Sequence, residues 1–259
     1  MRFIVVTLGG AQVEGPSGPL SGRAAHRRRI ALLALLAAPP AGSLTREKVI
    51  GWLWPECDGE RARHRLSVSL SAIRKEMGED AFVTAGDELS LNPAVVRSDV
   101  AEFEAALRGG DARRAVELYR GPFLDGFYVA DAQPFEQWVE RERDRLARAY
   151  ADALEGLAEE AGRAGDAEEE VRWRRLAAAH DPWSPRVALR LMDALDAAGD
   201  RVAAIRHAAA HAAALREELG IGPDAEVEAL ASRLRGPSTP EPAAPEAAGR
   251  EAPAPSSAP

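Results

Sequence analysis

The sequence predicts a mainly α-helical protein with a small α+β unit in front. Three observations carry this. Alanine is abundant and aromatic residues make up only 5% of the 259 residues, which favours helix. The first ninety or so residues order themselves as strand pair, three helices and hairpin, whereas from Asp99 onward only helical periodicity remains. An Ala-Gly-Asp turn, at Ala164-Gly165-Asp166 and again at Ala198-Gly199-Asp200, recurs 34 residues apart. The expected organisation is residues 1–98 as a winged helix-turn-helix, 99–235 as an all-α helical-repeat domain and 236–259 as a disordered tail.

Residues 3–8 and 11–14 suggest a short hairpin turning at Gly9-Gly10, and Gly15 to Gly22 reads as loop. A helix from Arg23 to Ala38 carries Ile30, Leu32, Leu33, Leu35 and Leu36 and is stopped by Pro39-Pro40. Ser43 or Thr45 caps a second helix through Trp54, with Val49, Ile50, Leu53 and Trp54 as its buried side. The third helix runs from Gly59 to Gly78. Residues 81–84 and 88–91 then form a hairpin around Ala85-Gly86-Asp87. In a winged helix-turn-helix the third helix enters the DNA groove and the hairpin is the wing.

Helices over 100–108 and 112–120 follow, broken at Gly109-Gly110-Asp111. An irregular stretch from Gly121 to Pro134 has Phe123, Phe127 and Tyr128 as packing anchors, and a long helix spans 135–164. Each Ala-Gly-Asp turn opens a helix with apolar positions, Val171 and Trp173 in one copy and Val202 and Ile205 in the other. The 34-residue period is that of tetratricopeptide repeats, although a plain helical bundle also fits. The segment after Arg235 is rich in proline, alanine, glutamate and serine, lacks aromatics and cannot bury enough surface to fold.

Charge is uneven. The net charge is −8, yet residues 1–100 hold 13 Lys+Arg against 11 Asp+Glu, leaving the acidic excess to the helical remainder. A local cationic surface suits phosphate contact, while the acidic remainder is repelled by DNA and free to face protein. Cys57, the single cysteine, excludes an internal disulfide framework and fits a reducing cytoplasm. The longest apolar run, Ile30 to Ala38, falls short of the roughly 20 residues a membrane span requires, so no membrane partner is expected.

The third helix concentrates the chemistry. Leu66, Leu70, Ile73 and Met77 make one apolar stripe, and Arg61, Arg63, His64, Arg65, Arg74 and Lys75 load the rest with charge. Such a helix packs on a core while offering guanidinium groups and hydroxyls to a DNA major groove; a solvated basic face gives the same pattern. The candidate DNA-binding residues are Arg63, His64, Ser67, Ser71, Arg74 and Lys75. Arg63, Arg74 and Lys75 suit phosphates, Ser67 and Ser71 are small enough for close approach, and His64 suits a phosphate, a base edge or solvent. Arg27, Arg28 and Arg29 open the first helix, where a phosphate contact or a solvated helix end fits. Trp52 and Trp54 fit core and inter-domain packing. His207 and His211 have metal-ligand spacing but no matched acid or cysteine, so no metal site is expected. No nucleophile–base–orienter arrangement and no phosphate-binding loop motif occurs, and neither an enzyme activity nor a cofactor is expected.

The arrangement resembles a known family. Leu53-Trp54-Pro55 ends helix two, ARHRLSVSLSAIRKEMG forms helix three, and Arg97-Ser98-Asp99-Val100-Ala101-Glu102-Phe103-Glu104 is the junction. Glu217-Glu218-Leu219-Gly220-Ile221-Gly222-Pro223-Asp224-Ala225-Glu226 precedes a last helix with Leu230 and Leu234. Over about residues 1–235 this resembles the bacterial transcriptional activator domain regulators, relatives of the antibiotic regulatory proteins of the SARP type. The resemblance implies a winged-helix domain gripping direct repeats in double-stranded promoter DNA. It also implies a tetratricopeptide-like domain that assists homodimerisation on DNA and contacts RNA polymerase, the whole acting as a cytoplasmic activator. The chain departs from the pattern at His64, where many relatives carry Asn, and at Gly86-Asp87-Glu88-Leu89, which lacks the common Gly-Tyr. The alternative is a protein-interaction module whose winged helix contacts protein.

Overall fold

The computed structural model describes residues 3–16, 18–20, 26–38 and 42–236. They form two compact units, the first ending at Asp181 and the second beginning at Pro182. The expected helix start at Arg23, the Pro39-Pro40 stop and the tail from 237 onward lie outside the described residues.

In the first unit, β1 (Phe3–Val6) pairs antiparallel with β2 (Gln12–Gly15). The glycine-rich stretch predicts only loop after β2, but Gly18–Pro19 adds a two-residue strand, β3, on its outer edge. α1 (Arg27–Ala37) buries every residue from Ile30 to Leu36, as a helix apolar all round must. β4 (Leu44–Thr45) leads into α2 (Arg46–Leu53), which is capped by Thr45 rather than Ser43: the Thr45 hydroxyl accepts from Lys48 N–H at 3.3 Å. α3 (Gly59–Met77) is capped by Asp58, which accepts from Arg61 N–H at 2.9 Å. A single 3₁₀ turn leads to the wing, β5 (Phe82–Ala85) and β6 (Glu88–Leu91), completed by β4 in the order β4-β6-β5. β7 (Val96–Ser98) then returns to pair parallel with β1, closing a sheet of order β3-β2-β1-β7. Neither β4 nor β7 was expected, because two or three residues show no period.

α4 (Asp99–Arg108) starts where β7 stops, with the Ser98 hydroxyl accepting from Ala101 N–H at 3.3 Å. The Asp99 carboxylate turns back toward the amino terminus. It accepts from Thr7 N–H at 2.7 Å, Thr7 Oγ1 at 2.8 Å and Leu8 N–H at 2.7 Å, and from its neighbour Val100 N–H at 2.8 Å. The same stretch of chain meets the irregular segment that follows α5 (Ala112–Leu118): Leu124 N–H donates to Thr7 O at 2.7 Å, and Gly9 N–H to Pro122 O at 3.0 Å. Gly9, with φ +88°, crosses Gly121 so closely that a Cβ on either would come within 3.0 Å of the other strand's backbone. Phe123 and Leu124 are fully buried, and the Arg143 guanidinium on α6 (Gln133–Ala164) donates to both of their carbonyls at 2.7 Å. Phe127 anchors this segment as expected. Tyr128 does not: it is 56% exposed, because Phe127 and Val129 point inward on either side of it.

The Gly-Asp turn explains the helical repeat. Gly110, Gly165 and Gly199 all have positive φ, and the following Asp N–H bonds back five residues, to Ala106, Ala161 and Leu195 respectively, at 2.9–3.0 Å. The aspartates then cap α5, α7 (Ala167–His180) and α9 (Arg201–Ala214). One helix is ended by a left-handed glycine and the next opened by a carboxylate, three times over.

The second unit contains α8 (Pro185–Ala197), α9, a π turn over Leu215–Leu219 and α10 (Ala225–Arg235). The π turn was not foreseen. Val202 is 65% exposed rather than a packing position; the buried seam of α9 is Ala204, Ala208 and Ala212, on the opposite side of the helix. His211 is buried on that seam with Nδ1 2.9 Å from Pro182 O, so Nδ1 carries the proton toward the carbonyl. Nε2 of His211 and Nε2 of His207 are buried without hydrogen-bond partners. Among the described residues no three His, Cys, Asp or Glu residues gather as a metal-holding group. Burial, and then the neighbouring His211, hold His207 below the ordinary imidazole value of 6.5.

Two predictions follow from these contacts. Asp99→Ala removes the acceptor of three backbone N–H groups and of a buried hydroxyl, and should lower the unfolding free energy by about 2–4 kcal/mol in urea titration, with Thr7→Val costing less. A change for Asp99→Ala within about 0.5 kcal/mol would remove it from that role. His207 resists protonation only when folded, so the stability it contributes is present above about pH 6.5 and lost as pH falls below it. The urea midpoint should drop between pH 7.5 and 5.5, and the drop should shrink in His207→Gln; an equal drop in the variant would rule His207 out.

Candidate nucleic-acid interface

The inward side of α3 is the stripe the sequence predicts. Leu66, Leu70, Ile73 and Met77 are buried, joined by Ala62 and Ser69. Ser69 satisfies its hydroxyl by donating to Arg65 O one turn back, at 2.9 Å. With that side fixed, helical geometry settles the other. Ser67, Ser71 and Lys75 succeed one another at four-residue intervals, and His64 and Val68 form a second row beside them; all five are exposed. They line a groove with Ala72, Glu76 and, from α1, Arg29. Four of the six sequence-predicted residues, His64, Ser67, Ser71 and Lys75, therefore share one face.

Arg63 and Arg74 lie to one side of it. Arg63 is exposed, its guanidinium folded toward Gly59. Arg74 is turned to the base of the wing: its guanidinium sits 5.7 Å above the Phe82 ring and 3.9 Å from the Glu79 carboxylate, with 29% of the side chain exposed. On the opposite flank a second concavity is lined by His26, Arg28, Arg29, Trp54, His64, Arg65, Val68 and Ser69. Val68 stands between the two concavities and is 47% exposed. The sequence counts Arg65 among the charges of α3 but places neither it nor Val68 among the candidate contacts, although Val68 lies one turn from His64, Ser71 and Ala72.

The three arginines that open α1 divide their work. Arg27 donates to Tyr128 O at 2.8 Å and lies 5.7 Å from the Phe127 ring, and Arg28 donates to Ala130 O at 2.6 Å. These two hold the segment before α6 instead of forming a solvated helix end, and only Arg29 of the three lines both concavities of α3. Trp54 is buried in the core. Trp52 stacks on Trp138 of α6 at 5.7 Å, with Lys48 Nζ 4.9 Å from its ring, so the helix preceding α3 is braced on the long helix of the same unit.

In the wing, Ala85 pairs with Glu88 across a two-residue turn in which Gly86 alone has positive φ, +61°. Asp87 is exposed at the tip, whereas the Glu88 carboxylate accepts from Ser43 at 2.9 Å. One of the two wing acids is thus tied down beside β4. α3 thus presents exposed cations and hydroxyls together with one acid, Glu76, with the hairpin at its carboxyl end.

No curated protein matches the sequence. Among solved structures the chain is similar to Mycobacterium tuberculosis EmbR in complex with a low-affinity phosphopeptide, at a TM-score of 0.60 and 20% identity. The likeness covers 90% of this chain and 65% of that one, and shows a shared fold. The family model "Bacterial transcriptional activator domain" matches residues 94–235, more than half of the chain. The chain belongs to the bacterial transcriptional activator domain family of transcriptional regulators.

Proposed function

We propose that this regulator binds promoter DNA by placing α3 in the major groove. The observation that carries this reading is the single exposed face of His64, Ser67, Ser71 and Lys75, set on a helix whose other side is locked into the core. Lys75 and Arg63 meet phosphates, the two serines let the helix approach, and His64 donates to a phosphate or a base edge. Arg74 reaches a backbone phosphate from the wing side, and Arg29 extends the cationic surface onto α1. Residues 1–98 act as the DNA-binding region and 99–235 as the effector region, which assists pairing of two copies on direct repeats and contacts RNA polymerase. The reading is one of activation in the cytoplasm without catalysis or a cofactor. Support comes from the family and from the charge asymmetry, since the acidic helical region is suited to protein and not to DNA.

The test uses the full chain and duplexes selected from a random library. Lys75→Ala should weaken binding to all duplexes and flatten the log-affinity against log-salt slope by about one unit, as removal of one phosphate contact does. Arg74→Ala should flatten the slope similarly and also lower stability, because it removes the contact with Phe82. Unchanged affinity and slope in both variants would reject α3 as the DNA-contacting element and favour the protein-interaction module. A second prediction concerns output. The selected site placed upstream of a reporter promoter should raise transcription when the protein is supplied, with two chains bound per duplex. A fall in transcription would make the regulator a repressor, and a single chain per duplex would reject the dimer.

A further inference from the structure

We propose that Val68 reads the 5-methyl group of a thymine in the target site; the inference rests on the DNA-binding reading above and assigns a base to its face. Val68 is an aliphatic side chain, 47% exposed, in the middle of a mainly polar surface on which Arg29, Arg65 and Lys75 outnumber the one acid, Glu76. Its neighbours on that surface are His64, Arg65, Ser67, Ser71, Ala72 and Lys75, with Arg29 alongside. It is not needed for the core of α3, which Leu66, Leu70, Ile73 and Met77 supply from the other side. It lies one turn from His64 and from Ser71 and Ala72, so its isopropyl group belongs to the outward row of the helix.

The chemistry of the major groove leaves one partner for such a group. Base edges there present acceptors N7, O6 and O4, amino donors on adenine and cytosine, and one apolar group, the thymine C5-methyl. An isolated valine on a cationic helix gains nothing from phosphates and desolvates the polar edges at a cost. Set against a thymine methyl, it removes apolar surface from water on both sides. Ser67, Ser71 and Ala72 are small enough to let the helix come that close, and the surrounding cations favour a DNA occupant over an apolar protein segment.

The test removes one methyl group at a time. The full chain is used to select its preferred duplex, and each thymine of that duplex is replaced in turn by deoxyuridine, which deletes the methyl and leaves every hydrogen-bonding group in place. One thymine per half-site should lose about three- to fivefold in affinity, the value of a single buried methyl group. Val68→Ala should bind the thymine and deoxyuridine duplexes equally, with the salt slope of the parent and an unchanged Tm, since the side chain is half exposed. Val68→Ile should keep the discrimination. If no thymine in the selected site responds to the replacement, or if Val68→Ala discriminates as the parent does, the assignment is overturned while DNA binding stands. If the full chain retains no duplex at all, the assignment falls together with the DNA-binding reading.

Discussion

The Asp99 carboxylate holds the first unit together. It sits at the point where β7 becomes α4 and takes up the backbone and side-chain donors of Thr7 and the N–H of Leu8. Those donors lie at the end of β1, where the strand has lost its antiparallel partner and would otherwise be buried without acceptors. One side chain therefore fixes three directions at once: the exit of the amino-terminal strand, the start of the helical region, and the approach of Phe123 and Leu124, which pair with the same stretch through Thr7 O and Leu8. The glycine crossing at Gly9 and Gly121 exists because these two chain segments are drawn so close that no Cβ fits between them.

This has consequences for how α3 is presented. The helix is not carried on an independent module. α2, which precedes it, is stacked through Trp52 on Trp138, and α1 is pinned through Arg27 and Arg28 to the carbonyls of Tyr128 and Ala130. The change in sequence texture at residue 98 does not coincide with a division in packing, which comes at Asp181. The orientation of the candidate DNA face is consequently set by α6 as much as by the three-helix core. A truncation at residue 98 would cut away Asp99, Phe123 and Trp138 and expose Leu8, so it is not a clean test of DNA binding.

How much was legible follows from the physics of each element. The stripe of α3, the wing hairpin and the Gly-Asp turns were readable because period, turn chemistry and capping are local properties. β4 and β7 were not, since strands of two or three residues are defined by their partners. Asp99 reads as a helix-opening acid in sequence, and only the return of β7 beside β1 turns its carboxylate onto Thr7. In the candidate site, composition showed cations and hydroxyls on α3, but how they divide between its faces needed the fold. Arg74 is drawn toward the wing by Phe82, a residue of the hairpin, and His64, Ser67, Ser71 and Lys75 share a face because the core fixes the helix's rotation. Tyr128 and Val202 misled because apolar character alone does not say which side of an extended or helical segment faces inward.

The parallel pairing of β1 with β7 sets an order of events during synthesis. Phe3 and Val96 are register partners, so β1 waits for a partner made about ninety residues after it, and the Asp99 acceptor emerges later still. Until β7 has been made, one edge of β1 stays open, and the carbonyl of Thr7 waits longer, for Leu124. Contacts this distant in sequence carry a loop-closure cost that must be met before they stabilise anything. The nascent chain therefore has its basic α3 in hand well before it has the scaffold that aims it, and the candidate DNA face reaches its final geometry only after α6 has been made.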